Sequence, residues 1–104
     1  MPCEFVTIAR EDALSATGQA RVKMGTVTLA LFKFGDSICA MEDQCPHRGA
    51  ALGEGIVEDG IVSCPLHGWR FRLGSGECLD APGKFARTFP VRVVDGQIQI
   101  RLGD

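Results

Sequence analysis

Tyrosine is absent from the 104 residues, tryptophan occurs once and histidine only twice. Without tyrosine no phenolic hydroxyl exists anywhere to donate a hydrogen bond. With two histidines, one centre that uses both leaves none for a second. Basic runs are lacking as well. Eleven Lys and Arg face thirteen Asp and Glu, for a net charge of −2, which speaks against nucleic acid as a partner. No apolar stretch approaches the roughly 18 residues of a membrane span. Met1-Pro2-Cys3-Glu4 opens without a basic region leading into an apolar one, so no secretory leader is expected. The Gly-rich pieces match neither a dinucleotide fingerprint nor a phosphate-binding loop. The five cysteines are odd in number and lack a framework spacing, so Cys3, Cys39 and Cys78 read as reduced thiols of a cytoplasmic protein.

What is present is concentrated in one stretch. Both histidines lie in short loops that also carry a cysteine, Cys45-Pro46-His47-Arg48-Gly49 and Cys64-Pro65-Leu66-His67-Gly68-Trp69. Thiolate and imidazole donors together suit zinc or iron. Between the loops, Asp59-Gly60 is flanked by Ile56-Val57 and Ile61-Val62, a two-residue hairpin signal. Glu58 then faces Ile61, and counting back along the arms sets Cys64 beside Gly55. The hairpin thereby returns the second loop alongside the first. Cys-x-His followed by Cys-x-x-His is the spacing of a Rieske centre, in which two histidines replace two cysteines on one iron of a [2Fe–2S] cluster. A Cys₂His₂ zinc site is the competing reading of the same four residues, Cys45, His47, Cys64 and His67.

Cys-Pro-His-Arg-Gly and Cys-Pro-Leu-His-Gly-Trp-Arg-Phe resemble the ligand loops of soluble Rieske ferredoxins, the electron carriers of bacterial aromatic-ring dioxygenase systems. Ile38 to Asp43 and Ala81-Pro82-Gly83 support the resemblance. It implies that Cys45 and Cys64 bind one iron and His47 and His67 the other, in a single [2Fe–2S] cluster. It also implies a one-electron carrier between a flavin-dependent NAD(P)H reductase and a terminal ring-hydroxylating oxygenase of aromatic hydrocarbon catabolism. Both would dock transiently near His47 and His67, on a monomer with no catalysis of its own. High-potential relatives add a bridged cysteine to each loop; here those positions are Ala50 and Leu66. With both histidines assigned, neither a two-histidine, one-carboxylate oxygenase iron nor a catalytic triad can be built. The alternative reading within the resemblance is a Rieske-like small subunit of an assimilatory nitrite reductase; a zinc-binding structural domain stands third.

The rest of the chain reads as strand. Strands are expected at Phe5 to Ile8, Ala20 to Met24, Val27 to Phe34 (covered on both faces) and Ser37 to Met41, with one helical turn at Glu11 to Leu14. Trp69 to Leu73 alternates with period two. Phe89, Val91 and Val93 share a face, and Pro90 marks an edge or a strand start. Asp95-Gly96 is a second hairpin signal, with Ile98, Ile100 and Leu102 alternating beyond it. The expected architecture is all-β: an antiparallel sandwich or barrel of short strands in one domain, residues 1–104. A two-loop cluster-binding module is inserted at about residues 43–72. Trp69 is expected to pack against the base of the loops, and Phe32, Phe34, Phe71, Phe85 and Phe89 to belong to the core.

Overall fold

The computed structural model describes residues 5–14, 18–35, 37–43, 51–65 and 68–101. These form ten strands and two 3-10 turns, Glu11–Leu14 and Leu52–Glu54. The strands are β1 (Val6–Arg10), β2 (Gln19–Met24), β3 (Val27–Phe34), β4 (Ser37–Glu42), β5 (Ile56–Glu58), β6 (Ile61–Ser63), β7 (Arg70–Arg72), β8 (Thr88–Phe89), β9 (Val91–Val94) and β10 (Gln97–Ile100). They make three antiparallel sheets, ordered β1-β10-β9, β2-β3-β4-β8 and β5-β6-β7. The expectation of an all-β fold of short antiparallel strands therefore holds.

The middle sheet supplies both cores. Side chains alternate across a strand, and β3 is buried over four consecutive residues, Leu29 to Phe32. Ala30 and Phe32 join one apolar cluster with Met41, Leu52, Val62, Phe71 and Leu73. Leu29 and Leu31 join the other with Leu14, Ala40, Phe89, Ile98 and Ile100. This is the strand covered on both faces that its unbroken apolar run predicts. The first core lies between the middle sheet and β5-β6-β7; the second lies between it and β1-β10-β9.

Both Asp-Gly hairpins form. Asp59 (φ 50°) and Gly60 (φ 77°), and Asp95 (φ 51°) and Gly96 (φ 77°), are left-handed at both central positions, the turn that matches strand twist. Glu58 pairs with Ile61 and Ile56 with Ser63, so Gly55 and Cys64 are next in register. Pro90 separates β8, which pairs with β4, from β9, which pairs with β10. With no N–H to extend the first ladder, the chain changes sheets there. That switch corrects one expectation: Phe89 is buried but Val93, past the break, is exposed.

Two phenylalanines also leave the expected core. Phe34 is 53% and Phe85 57% exposed. Phe34 ends β3 beyond the packed sheet and lies over Gly60 at the hairpin tip. Phe85 follows the 81–84 turn and is paired only through an isolated bridge to Glu77. Leu102 lies outside the described residues.

Candidate functional site

Cys64 leaves β6 into a buried position in the first core, packed with Leu52, Val62, Phe71, Leu73 and Cys78. Its N–H donates to the Trp69 carbonyl at 2.7 Å, and its own carbonyl accepts the Gly68 N–H at 3.0 Å. These two bonds hold Gly68 and Trp69 beside Cys64. Gly68 sits at φ 81°, a conformation side-chain-bearing residues resist, so this arrangement uses its missing Cβ. Trp69 packs against the same core, as expected. Of the four sequence-predicted ligands, Cys64 is the one within the described residues; Cys45, His47 and His67 lie outside them.

The described ends of the first loop are joined by a carboxylate. Asp43, the last described residue before it, is 7% exposed. Its Oδ1 accepts the Gly53 N–H at 2.6 Å and its Oδ2 accepts Arg21 Nε–H at 2.6 Å. The Asp43 N–H donates to the Thr28 carbonyl at 2.9 Å. From the same strand as Arg21, the Gln19 amide donates to the Gly53 and Gly55 carbonyls at 2.7 and 3.0 Å. The hydrogen bond and charge of Asp43 hold the Arg21 guanidinium above its ordinary pKa. Glu54 Oε2 lies 3.4 Å from Arg21 Nη1.

A second arginine–aspartate pair braces the other side. Asp80 accepts from Arg70 Nε at 3.1 Å, Arg70 Nη2 at 2.9 Å and the Arg70 backbone N–H at 2.8 Å. It thereby pins the start of the 81–84 turn to the strand that follows the Cys64 loop. The Arg70 hydrogen bonds hold the Asp80 carboxyl below the usual carboxylate range. Neither pair is visible as a motif, because the partners are 22 and 10 residues apart. The only hint is an aspartate directly after an apolar strand and two residues before Cys45.

Cys39 and Cys78 are not disulfide-bonded. Burial pushes the Cys39 thiol up, away from reactivity. Cys3 lies outside the described residues. Among the described residues, no helix is long and apolar enough to cross a membrane.

The sequence matches the Rieske [2Fe-2S] domain over residues 4–93. The chain belongs to the Rieske family. It is 42% identical over 80 residues to the anthranilate 1,2-dioxygenase ferredoxin subunit of Burkholderia cepacia, covering 76% of this chain and 74% of that one. It is 38% identical over 89 residues to the 3-phenylpropionate/cinnamic acid dioxygenase ferredoxin subunit of Photorhabdus laumondii, covering 84% and 85%. Among solved structures, a complex of reduced oxygenase and oxidized ferredoxin in carbazole 1,9a-dioxygenase contains a chain that superposes with a TM-score of 0.84. The identity there is 26%, over 96% of this chain and 94% of that one. The Rieske cofactor is one [2Fe-2S] cluster, and the local structure suits it. Cys64 offers a sulfur shielded from solvent and held by backbone bonds to Gly68 and Trp69, and two cysteines with two histidines are the Rieske donor set.

Proposed function

We propose that this Rieske protein carries single electrons from a flavin-dependent NAD(P)H reductase to a terminal ring-hydroxylating oxygenase. Cys45, His47, Cys64 and His67 hold its cluster. In this reading residues 1–104 are one domain with the cluster-binding module at about 43–72, and both partners dock near His47 and His67. The observation that carries the proposal is the intact Cys-x-His, Cys-x-x-His set on a chain whose relatives are named as dioxygenase ferredoxin subunits.

When bound, the cluster supplies a reversible one-electron couple. The chain's own residues decide what surrounds it. Leu52, Val62, Phe71 and Leu73 keep water from Cys64. In such an apolar setting added negative charge is poorly solvated, which favours the oxidised state. Fixed strands and the backbone bonds of Cys64 leave little to reorganise when an electron arrives or leaves. Pro65 and Gly68, on either side of the second loop, and the Pro82-Gly83 turn are exposed and so available to a partner surface.

The test is reconstitution. The purified holoprotein, added to a reductase and a ring-hydroxylating oxygenase, is expected to restore NAD(P)H-coupled hydroxylation of an aromatic substrate. Hydroxylation by the chain alone, with a chemical reductant and O₂, refutes the carrier reading. Iron and sulfide at two each per chain support the cluster; a colourless zinc protein overturns it.

A further inference from the structure

We infer that Asp43, clasped by Arg21, is the positioning residue for the first ligand pair, Cys45 and His47. This rests on the ligand assignment proposed above. Asp43 is the only charged side chain that is buried among the described residues, and its carboxylate has no exposed surface. A buried carboxylate is costly unless it is paired and hydrogen-bonded, so its retention at this place calls for a local role. Its two oxygens reach in two directions. One takes the backbone of Gly53, where the chain has come back from the first loop. The other takes Arg21 on β2, part of the rigid middle sheet. The separation of the loop's two ends is therefore set by one carboxylate anchored to the sheet.

The packing supports a role in fixing that separation. A Cβ on Gly53 would come within 2.5 Å of Arg21 Cγ and 3.0 Å of Asp43 Oδ1, so even a methyl group has no room between backbone and clasp. Gln19 holds the carbonyls of Gly53 and Gly55 from the same side. Gly55 is next in register to Cys64, so the clasp also relates the first loop's return to the second loop. Removing partners that hydrogen-bond to a metal's ligands commonly changes metal affinity by about 10- to 100-fold, and a clasp two residues from Cys45 is expected to act in the same direction.

The experiment compares the wild-type holoprotein with Asp43→Asn, Arg21→Gln and Arg21→Lys. Two controls are Asp12→Asn, from an exposed ion pair, and Ile98→Val, from the second core. The readouts are the EPR spectrum of the reduced cluster and the rate of iron release to a chelator. Asp43→Asn and Arg21→Gln are expected to shift the g-values and to speed iron release about 10-fold or more. Arg21→Lys, which keeps the charge, is expected to recover part of both. Asp12→Asn and Ile98→Val are expected to keep the wild-type spectrum, the latter despite a lower melting temperature. Should Asp43→Asn not fold, Arg21→Gln decides the question, since Arg21 is partly exposed. Wild-type spectra with iron release within about twofold in the Asp43 and Arg21 variants overturn the clasp alone. A wild-type protein with no Rieske EPR signal overturns the ligand assignment and the clasp with it.

Discussion

Gly55→Ala tests the hairpin geometry that brings the two loops together. Gly55 has φ −77° and ψ 174°, values an alanine adopts without strain, so the cost is steric. An added Cβ falls on the Ser63 carbonyl oxygen and 3.0 Å from Val62 Cγ2. The oxygen is backbone and cannot swing aside. Ser63 is paired with Ile56 on one side and Arg70 on the other, so the strand must move as a unit. Restoring ordinary contact of about 3.5 Å requires a displacement on the order of 1 Å, one residue from Cys64. Overpacking of this kind costs about 1–3 kcal/mol. At about 4–8 °C per kcal/mol for a domain of this size, the melting temperature falls by roughly 4–24 °C. Metal sites tolerate distance errors of about 0.2 Å, so the cluster is lost as well. Calorimetry and iron and sulfide analysis read both effects. Gly74→Ala is the matched control: nothing lies within 4 Å of its Cβ, and its stability change is expected within about 0.5 kcal/mol. A Gly55→Ala protein with wild-type iron and a melting temperature within about 2 °C of wild type would refute the reasoning.

Three further outcomes are expected. Alanine at His47 or His67 abolishes the Rieske spectrum, whereas alanine at Cys3 or Cys78 leaves it intact; bleaching by Cys3→Ala disproves the ligand assignment. The midpoint potential lies at the low end of the Rieske range, roughly −100 to −150 mV near pH 7, because no tyrosine exists and Phe71 shares the buried core with Cys64. Trp69→Ser with Phe71→Tyr raises it, and a redox titration returning a clearly positive wild-type midpoint contradicts this account. The Asp80 clamp is acid-labile. Its folded pKa is depressed below the unfolded value of about 3.9, so its contribution is complete above about pH 4 and is lost as pH falls through the folded value. NMR titration of the carboxyl checks this, and a midpoint at or above about 4 refutes it.

The local parts of the structure were legible because they rest on short-range rules. Asp59-Gly60 fixed the turn, and the turn fixed the register that sets Gly55 next to Cys64. The apolar run of β3 announced a strand with two covered faces. The candidate ligands were read from their spacing and from a family resemblance, and Cys64 is the one of the four within the described residues. What failed or stayed hidden depends on tertiary placement. Phe34 and Phe85 are apolar enough for a core, but Phe34 is the last residue of β3 and Phe85 lies outside every strand. Val93 keeps the period of Phe89, yet Pro90 carries it into another sheet. Arg21 and Asp43 meet only because β2, β3 and β4 align side by side, which no pattern within either segment encodes.

The sheet β5-β6-β7 shares no strand ladder with the other two sheets among the described residues. It is joined to the middle sheet by apolar contacts, and Gly53 and Gly55, just ahead of β5, are held by the side chains of Gln19 and Asp43. A unit attached through side chains can open without breaking its neighbour's backbone bonds. The amides of Val57, Val62 and Phe71 are therefore expected to exchange as a separate class from those of Leu29 to Phe32. Loss of iron is expected to lower protection in the first class more than in the second, and native-state hydrogen exchange with and without a chelator checks it. A disturbance confined to the β5-β6-β7 unit is therefore expected to be felt there before it reaches the ladders of the two sheets beneath it.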